Sequence, residues 1–391
     1  MSLKIDHDSD GYQIRLLDLP PELLLQILQS LGASDICNLR ETCACLRAVC
    51  DQEEVWRHLC IQNFGHVMAE QIKPAKIFYQ KILHRYGPLA GLWQRMDVRY
   101  RGGLVRVAVS SAGLQFQHLR LYSDCICGDV EAEQLLTVCL DEDEEVVVSV
   151  GGEAGDSVSR HEAASVLHLL AATELVVVIP PRLSQVLYCM YCTVLYCTVQ
   201  VFALQRLLTL DWARHYHEHH RSGSPLLASV PPGLFRGYYG GHGVEVVHVQ
   251  DGQGVKVTGD PNVPFNEVSF RVTHPHPLHL PLEDQATTEA VSRATENYRH
   301  YTVSVEAEED EASSFDFAVP GDMRVNMDMG PPIHWTTCRG RWVAEGQVAH
   351  HGHQRPAFIP ANLVLFSLDE LAIMWLDLNE ISLFRRVNLL T

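Results

Sequence analysis

The sequence predicts an α+β chain. A helical N-terminal domain and short linker helices precede a mainly antiparallel, β-barrel-like or sandwich domain. Three observations predict it. An apolar stripe at helical spacing follows Pro20-Pro21. After Trp93 the apolar residues shift to period two. Short strand-like runs then recur to the C-terminus, which favours an antiparallel barrel or sandwich over a parallel sheet. The 391 residues are enough for two domains, or one large domain with additions. The spacing divides them into a helical domain over 12–60, a helical linker over 61–100 and a β-rich domain over 101–391.

The first helix carries Leu23, Leu24, Ile27, Leu28 and Leu31 on one wide face. Proline suits its first turn, where the missing N–H has no partner to lose. Gly32 ends it. Ser34 or Asp35 caps a second helix, whose apolar face continues through Cys43, Leu46 and Val49. Val55, Trp56 and Leu59 make a further helical turn, closed by Phe64-Gly65. Residues 73–86 are helical again, with Ile77, Ile82 and Leu83 buried.

Strand patterns begin with Leu104, Val105, Val107 and Val109, then Leu114, Phe116, Leu119 and Leu121. Residues 137–140 and 146–150 flank an acidic turn, which is a hairpin signature. Later strands are expected at 234–239, 244–249, 255–258, 268–273, 335–343, 362–366, 371–376 and 381–387. A helix is expected over 285–301 and a solvated acidic loop over 306–311. One segment departs from the pattern. Residues 187–194 are nearly repeated by 195–199, and 183–205 carry no charge. That length approaches a bilayer's thickness, but its Ser, Thr and Gln residues favour a buried strand pair. A translated intron is the third reading.

Apolar residues at 47% and charged residues at 20% exclude wholesale disorder. A net charge of −18 disfavours nucleic acid and anionic membranes as partners. Residues 1–10 have no apolar core, so no signal peptide is expected. The 12 scattered cysteines then read as reduced thiols of a cytoplasmic or nuclear protein.

Several short motifs carry candidate chemistry. Gly259-Asp260-Pro261-Asn262 is a strong turn sequence. It is either a structural turn, or it lies at a barrel mouth with Asp260 offering its carboxylate to a ligand N–H. Tyr239-Gly240-Gly241-His242-Gly243 is either a hairpin turn or a place where a ligand backbone approaches closely. Arg339 and Arg341, two apart beside Trp335, either pair with a substrate carboxylate or solubilise a strand. The histidine runs at 215–220 and 350–353 read as surface groups. Neither a metal site nor a cofactor is expected, and no residue is assigned a catalytic role.

Residues 16–56 resemble an F-box. The matching features are Leu19-Pro20-Pro21-Glu22-Leu23, Ile27-Leu28, Leu31, Asp35, Leu39, Cys43, Leu46 and Trp56. The resemblance implies binding to the Skp adaptor of a cullin-RING ubiquitin ligase, by a helix-in-groove contact. The implied contact residues are Leu19, Pro20, Pro21, Glu22, Leu24, Ile27, Leu28, Leu46 and Trp56. Residues 84–86, 91–94, 232–237, 239–245, 257–264 and parts of 366–384 further resemble the F-box only protein 31 family. The blocks cover about two thirds of the chain, and 125–229 match poorly. That family has a small Cys/His zinc site there. Here Val148-Ser149-Val150-Gly151 stands in place of its first cysteine, and His161, His168, Cys189 and Cys192 lack a standard ligand spacing.

The resemblance thus implies a non-catalytic substrate receptor, working with the adaptor, a cullin scaffold and a RING subunit to promote ubiquitination and proteasomal degradation. Its β domain would hold a protein target by the C-terminal end. The implied substrate-binding residues are Gly259, Asp260, Asn262, Tyr239, His242, Trp335, Arg339 and Arg341. Two other classes compete. One is a hydrolase-like β-cup using Cys338 or Asp260, although no Gly-x-Ser-x-Gly elbow or His-Glu-x-x-His helix occurs. The other is a scaffold anchored in a membrane through 183–205.

Overall fold

The computed structural model describes residues 16–64, 74–96, 100–120, 130–150, 159–162, 166–171, 174–179, 200–209, 230–298, 314–326 and 335–387. The N-terminal part is helical: α1 (Pro21–Gln29), α2 (Ala33–Thr42), α3 (Ala44–Cys50) and α4 (Glu53–Phe64). Two neighbouring helices are separate because Cys43 is extended (φ −158°, ψ 164°). Its Sγ accepts the Leu46 N–H and caps α3. A helical segment then runs from α5 (Ala75–Phe78) through a π turn (Tyr79–Leu83) into α6 (His84–Tyr86). Glu53 caps its start by accepting the Ala75 N–H at 2.6 Å. Phe78, Tyr79, Ile82 and Leu83 are buried, whereas Ile77 is only half-buried. Ile77 falls beside the stripe formed by Ala75, Phe78, Tyr79, Ile82, Leu83 and Tyr86, which keeps helical spacing through the segment.

The helical linker ends earlier than the periodicity suggests. Residues 91–95 are already a strand, β1 (Gly91–Arg95). It joins β2 (Leu104–Ser110), β3 (Gly113–Arg120), β4 (Glu131–Leu140), β5 (Val146–Val150), β6 (Ser159–Glu162), β7 (Leu167–Ala171), β8 (Glu174–Ile179) and β9 (Gln200–Thr209). Among the described residues this antiparallel sheet has the order β6-β5-β4-β3-β2-β1-β9-β8-β7. Trp56, Trp93, Phe116 and Val138 belong to one apolar core, so the helices and this sheet pack as a unit. The 183–199 part of the uncharged segment, and Cys189 and Cys192 with it, lies outside the described residues. So does the acidic 306–311 segment.

The second sheet closes on itself. It comprises β10 (Gly233–Tyr238), β11 (Val244–Gln250), β12 (Gln253–Lys256), β13 (Val268–Val272), β17 (Gly340–His350), β18 (Gln354–Leu365), β19 (Glu370–Trp375) and β20 (Glu380–Arg386). Pairing of β20 with β10 completes an eight-stranded antiparallel barrel. A short strand, β15 (Arg324–Asn326), adds in parallel beside β20. β14 (Phe315–Asp316) and β16 (Thr337–Cys338) pair separately. Rings fill the interior, including Phe235, Phe270, Trp342, Trp375 and Phe384. Small residues make room for them. A Cβ on Gly254 would lie 2.4 Å from the Phe270 ring, and one on Gly237 2.3 Å from Phe384.

The helix expected over 285–301 is α7 (Thr288–Glu296), capped by Thr287 Oγ1. It covers the outer barrel face through Val291 and Ala294, against Val343 and Val364. The first sheet meets another part of that face through Leu92, Leu104, Leu234, Val246 and Val257. Main-chain bonds fix that junction: Gly259 N–H donates to Arg101 O at 3.1 Å and Phe265 N–H to Tyr100 O at 2.9 Å. Gly102 sits there at φ +62° with the Val257 carbonyl 2.4 Å from where its Cβ would be, so a larger residue has no room.

Candidate functional sites: a helical face and a barrel mouth

The helical face is apolar and open. Leu16, Leu17, Leu23 and Ile27 are 45%, 49%, 44% and 40% exposed. Pro20, Pro21 and Glu22 are exposed beside them, and Leu19 is half-buried. The other expected contact residues are placed differently. Leu24, Leu28, Leu46 and Trp56 are buried inside the chain, and Trp56 Nε1 donates to Cys50 O at 2.8 Å. Those four shape the face from beneath. Leu16 and Leu17 are apolar residues ahead of the helix, in a 3₁₀ turn (Leu16–Asp18) with no buried residue.

The second site is polar and lies at one end of the barrel. Glu245 on β11 shares the inward phase of Val247 and Val249, and Lys256 on β12 shares that of Gly254. Lys256 Nζ lies 2.5 Å from Glu245 Oε2 and 3.0 Å from Asp260 Oδ2, and 4.5 Å from the Tyr239 ring centroid. Tyr239 OH is 2.6 Å from Ser269 Oγ, and its ring packs edge-on against Phe384. His242 is exposed, with Nδ1 3.6 Å from Asp260 Oδ1. A Cβ on Gly241 or Gly243 would meet nothing within 4 Å, so the space above this turn is open.

Asp260 is committed to its own loop. Oδ1 accepts the N–H groups of Asn262 (2.5 Å) and Val263 (3.2 Å), while Oδ2 accepts Lys256. Asp260 thus shapes and charges the mouth from within its own loop. Burial opposes its ionisation, but Glu245, Lys256 and the Asn262 amide outweigh burial and hold it at about 2. Burial pushes Glu245 up to about 8 despite Lys256. Gly259 is required by packing, since a Cβ there would lie 2.4 Å from Phe265 N. Glu245, Lys256 and Ser269 were not singled out from sequence. The available signal was a charged residue on the inward phase of an otherwise apolar strand.

Trp335, Arg339 and Arg341 are not part of this mouth. Trp335 stacks on Phe366 at 3.9 Å, and Arg339 is exposed. Arg341 does not solubilise a strand. It is 3% exposed on the outer face of β17, where Nη2 donates to Gln285 Oε1 at 3.2 Å and Cζ lies 5.2 Å from the Phe317 ring centroid. Cys338 is also buried, and burial pushes its thiol up, opposite to what a nucleophile needs. His161 and His168 lie on β6 and β7. Among the described residues no three His, Cys, Asp or Glu side chains converge as metal ligands, and no helix is long and apolar enough to cross a membrane.

Two known families match separate parts of the chain. The F-box-like family matches residues 16–62. The chain carries an F-box-like domain. A second family, described as the cyclin D1 binding domain, matches residues 214–391, which include the barrel. F-box only protein 31 of Homo sapiens is 24% identical over 95% of this chain and 83% of its own length. The Rattus norvegicus and Mus musculus proteins of that name are 26% and 25% identical, each over 95% of this chain and 84% of their own length. The F-box and the barrel are thus separately matched modules, joined here by the first sheet.

Proposed function

We propose that this protein is the substrate receptor of a Skp–cullin–F-box ubiquitin ligase. The F-box binds the Skp adaptor, through which the cullin and RING subunits are recruited. The barrel holds a protein target, and the chain itself does no chemistry. Holding the target beside a ubiquitin-charged enzyme raises its effective concentration. The site of action is the cytoplasm or nucleus. The observation that carries this reading is the row Leu16, Leu17, Leu23 and Ile27. It leaves apolar side chains in water on the F-box that matches residues 16–62. Such a patch marks a partner surface.

The target's C-terminal segment is the part we place at the mouth formed by Tyr239, His242, Glu245, Lys256 and Asp260. The open turn at Gly241–Gly243 admits a backbone above the buried Lys256–Asp260 pair. The family description of residues 214–391 supports a protein target for the barrel.

Co-expression with the Skp adaptor and size-exclusion chromatography test the reading. The wild type elutes as a one-to-one complex. Leu23→Glu with Ile27→Glu abolishes the complex and leaves the circular dichroism unchanged, because both side chains are already in water. A complex that survives the double variant removes the F-box assignment of this face. Leu28→Glu is a poorer test, since Leu28 is buried and a charge there unfolds the helices.

A further inference from the structure

Lys256 is one cation between two carboxyl groups, and all three side chains are almost excluded from solvent. Two buried negative charges against one positive charge leave an uncompensated charge in a medium that solvates it poorly. Uptake of a proton by one carboxyl removes it. The two acids are not equivalent. Asp260 accepts two backbone N–H groups and Lys256, so its ionised form is solvated by the loop. Glu245 has no such cradle. Its close partners are two side chains, Lys256 with Nζ 2.5 Å from Oε2, and the Asp260 carboxyl, whose nearness favours the protonated form of Glu245. Across the ladder it faces only Gly237.

We propose that Glu245 is the protonated member of this pair and Asp260 the ionised one, so that the barrel mouth is neutral near pH 7 and becomes negative when Glu245 loses its proton. Glu245 is then a specificity-determining residue of the mouth. In the neutral state the mouth tolerates a peptide end bearing a carboxylate; in the negative state it repels one. This consequence for targets rests on the reading of the mouth as a peptide site, but the protonation itself does not.

The groups that face Glu245 are few. Lys256 comes from β12 and Asp260 from the loop after it. Tyr239 comes from the end of β10, and burial pushes its phenol well above the range in question. His242 reaches the cluster only through Asp260. Burial places the Glu245 titration at about 8, in the direction the geometry requires.

Infrared difference spectroscopy of the full chain, between about pH 6 and about pH 10, tests this without any target. The wild type shows the carbonyl stretch of a protonated carboxylic acid at the acid end, and the band disappears with a midpoint near 8. Glu245→Gln removes the band, and His242→Gln leaves it. Asp260→Asn keeps the chain folded at neutral pH and moves the midpoint down, because Lys256 then serves Glu245 alone. In parallel, the wild-type folding equilibrium constant falls up to about tenfold per pH unit as pH rises towards 8, and Glu245→Gln flattens that slope. The proposal is overturned if no band is lost in Glu245→Gln, if the midpoint lies in the ordinary carboxylate range, or if His242→Gln abolishes the band. Failure of target capture with the band intact would instead remove only the peptide-site reading.

Discussion

Asp260 shows how one side chain ties a loop, a charge cluster and a site together. Its hydrogen bonds need the ionised form, and against the cost of burial Glu245, Lys256 and the Asn262 amide hold it at about 2 against an ordinary value of 3.8. A carboxyl with a lowered folded-state pKa contributes stability that is complete above 3.8 and disappears as pH falls towards 2. The gap corresponds to about 2 kcal/mol. In urea unfolding of the full chain, wild type therefore loses that amount across this window, and Asp260→Asn lacks the loss there. Equal acid slopes in the two proteins would show that the turn is held by its backbone alone. The neighbouring Glu245 has the opposite sign, its contribution being complete below about 4.5 and lost as pH rises through about 8. Stability arising from this cluster is therefore greatest between the two windows.

Strands of the barrel are matched large against small. Gly254 pairs with Phe270 on the inner face, and a Cβ at Gly254 would lie 2.4 Å from the ring. The ring is fully buried and has no free volume to enter. Gly254→Ala consequently costs about 1–3 kcal/mol. Gly241→Ala, in the open turn, changes stability by less than about 0.5 kcal/mol. Chemical denaturation of both variants measures the contrast. Equal costs would mean that the β12–β13 pair yields to admit the extra carbon. The helices obey a different constraint. In α1 the buried phase is Leu24 and Leu28 and the exposed phase Leu23 and Ile27, so one apolar stripe is divided between the core and water.

At the scale of the whole molecule, the F-box is not a free-standing module. Trp56 of α4 and Trp93 of β1 lie in one core with Phe116 of the first sheet. That sheet in turn meets the barrel through Leu92, Leu104, Val246 and Val257. The exposed helical face and the barrel mouth are therefore carried on continuously packed layers, which suits the proposed receptor role. Trp93→Ala removes a fully buried indole and the Nε1 bond to Leu89 O, at a cost of about 3–5 kcal/mol. Amide exchange then accelerates in α4 and β2 together. Acceleration confined to β2 would show that the helices and the sheet open independently.

Local pattern alone determined much of this chain. Pro20-Pro21 and the leucines after them fix α1. The alternation around 146–150 and 244–249 fixes β5 and β11, and Gly259-Asp260-Pro261-Asn262 fixes a turn. These follow from contacts made within a few residues, which sequence spacing records directly. Tertiary structure decided what lies between distant segments. It turned residues 91–95 into a strand by pairing them with β2 and β9. It buried Leu28, Leu46 and Trp56 and left Leu16, Leu17 and Leu23 outside. It sent Arg341 to Gln285 and Phe317 on the outer barrel face, away from the mouth, while bringing Glu245, Lys256 and Asp260 together. Closure of β20 onto β10 selects which strand faces become interior, and a charge meets its neighbours only once that choice is made.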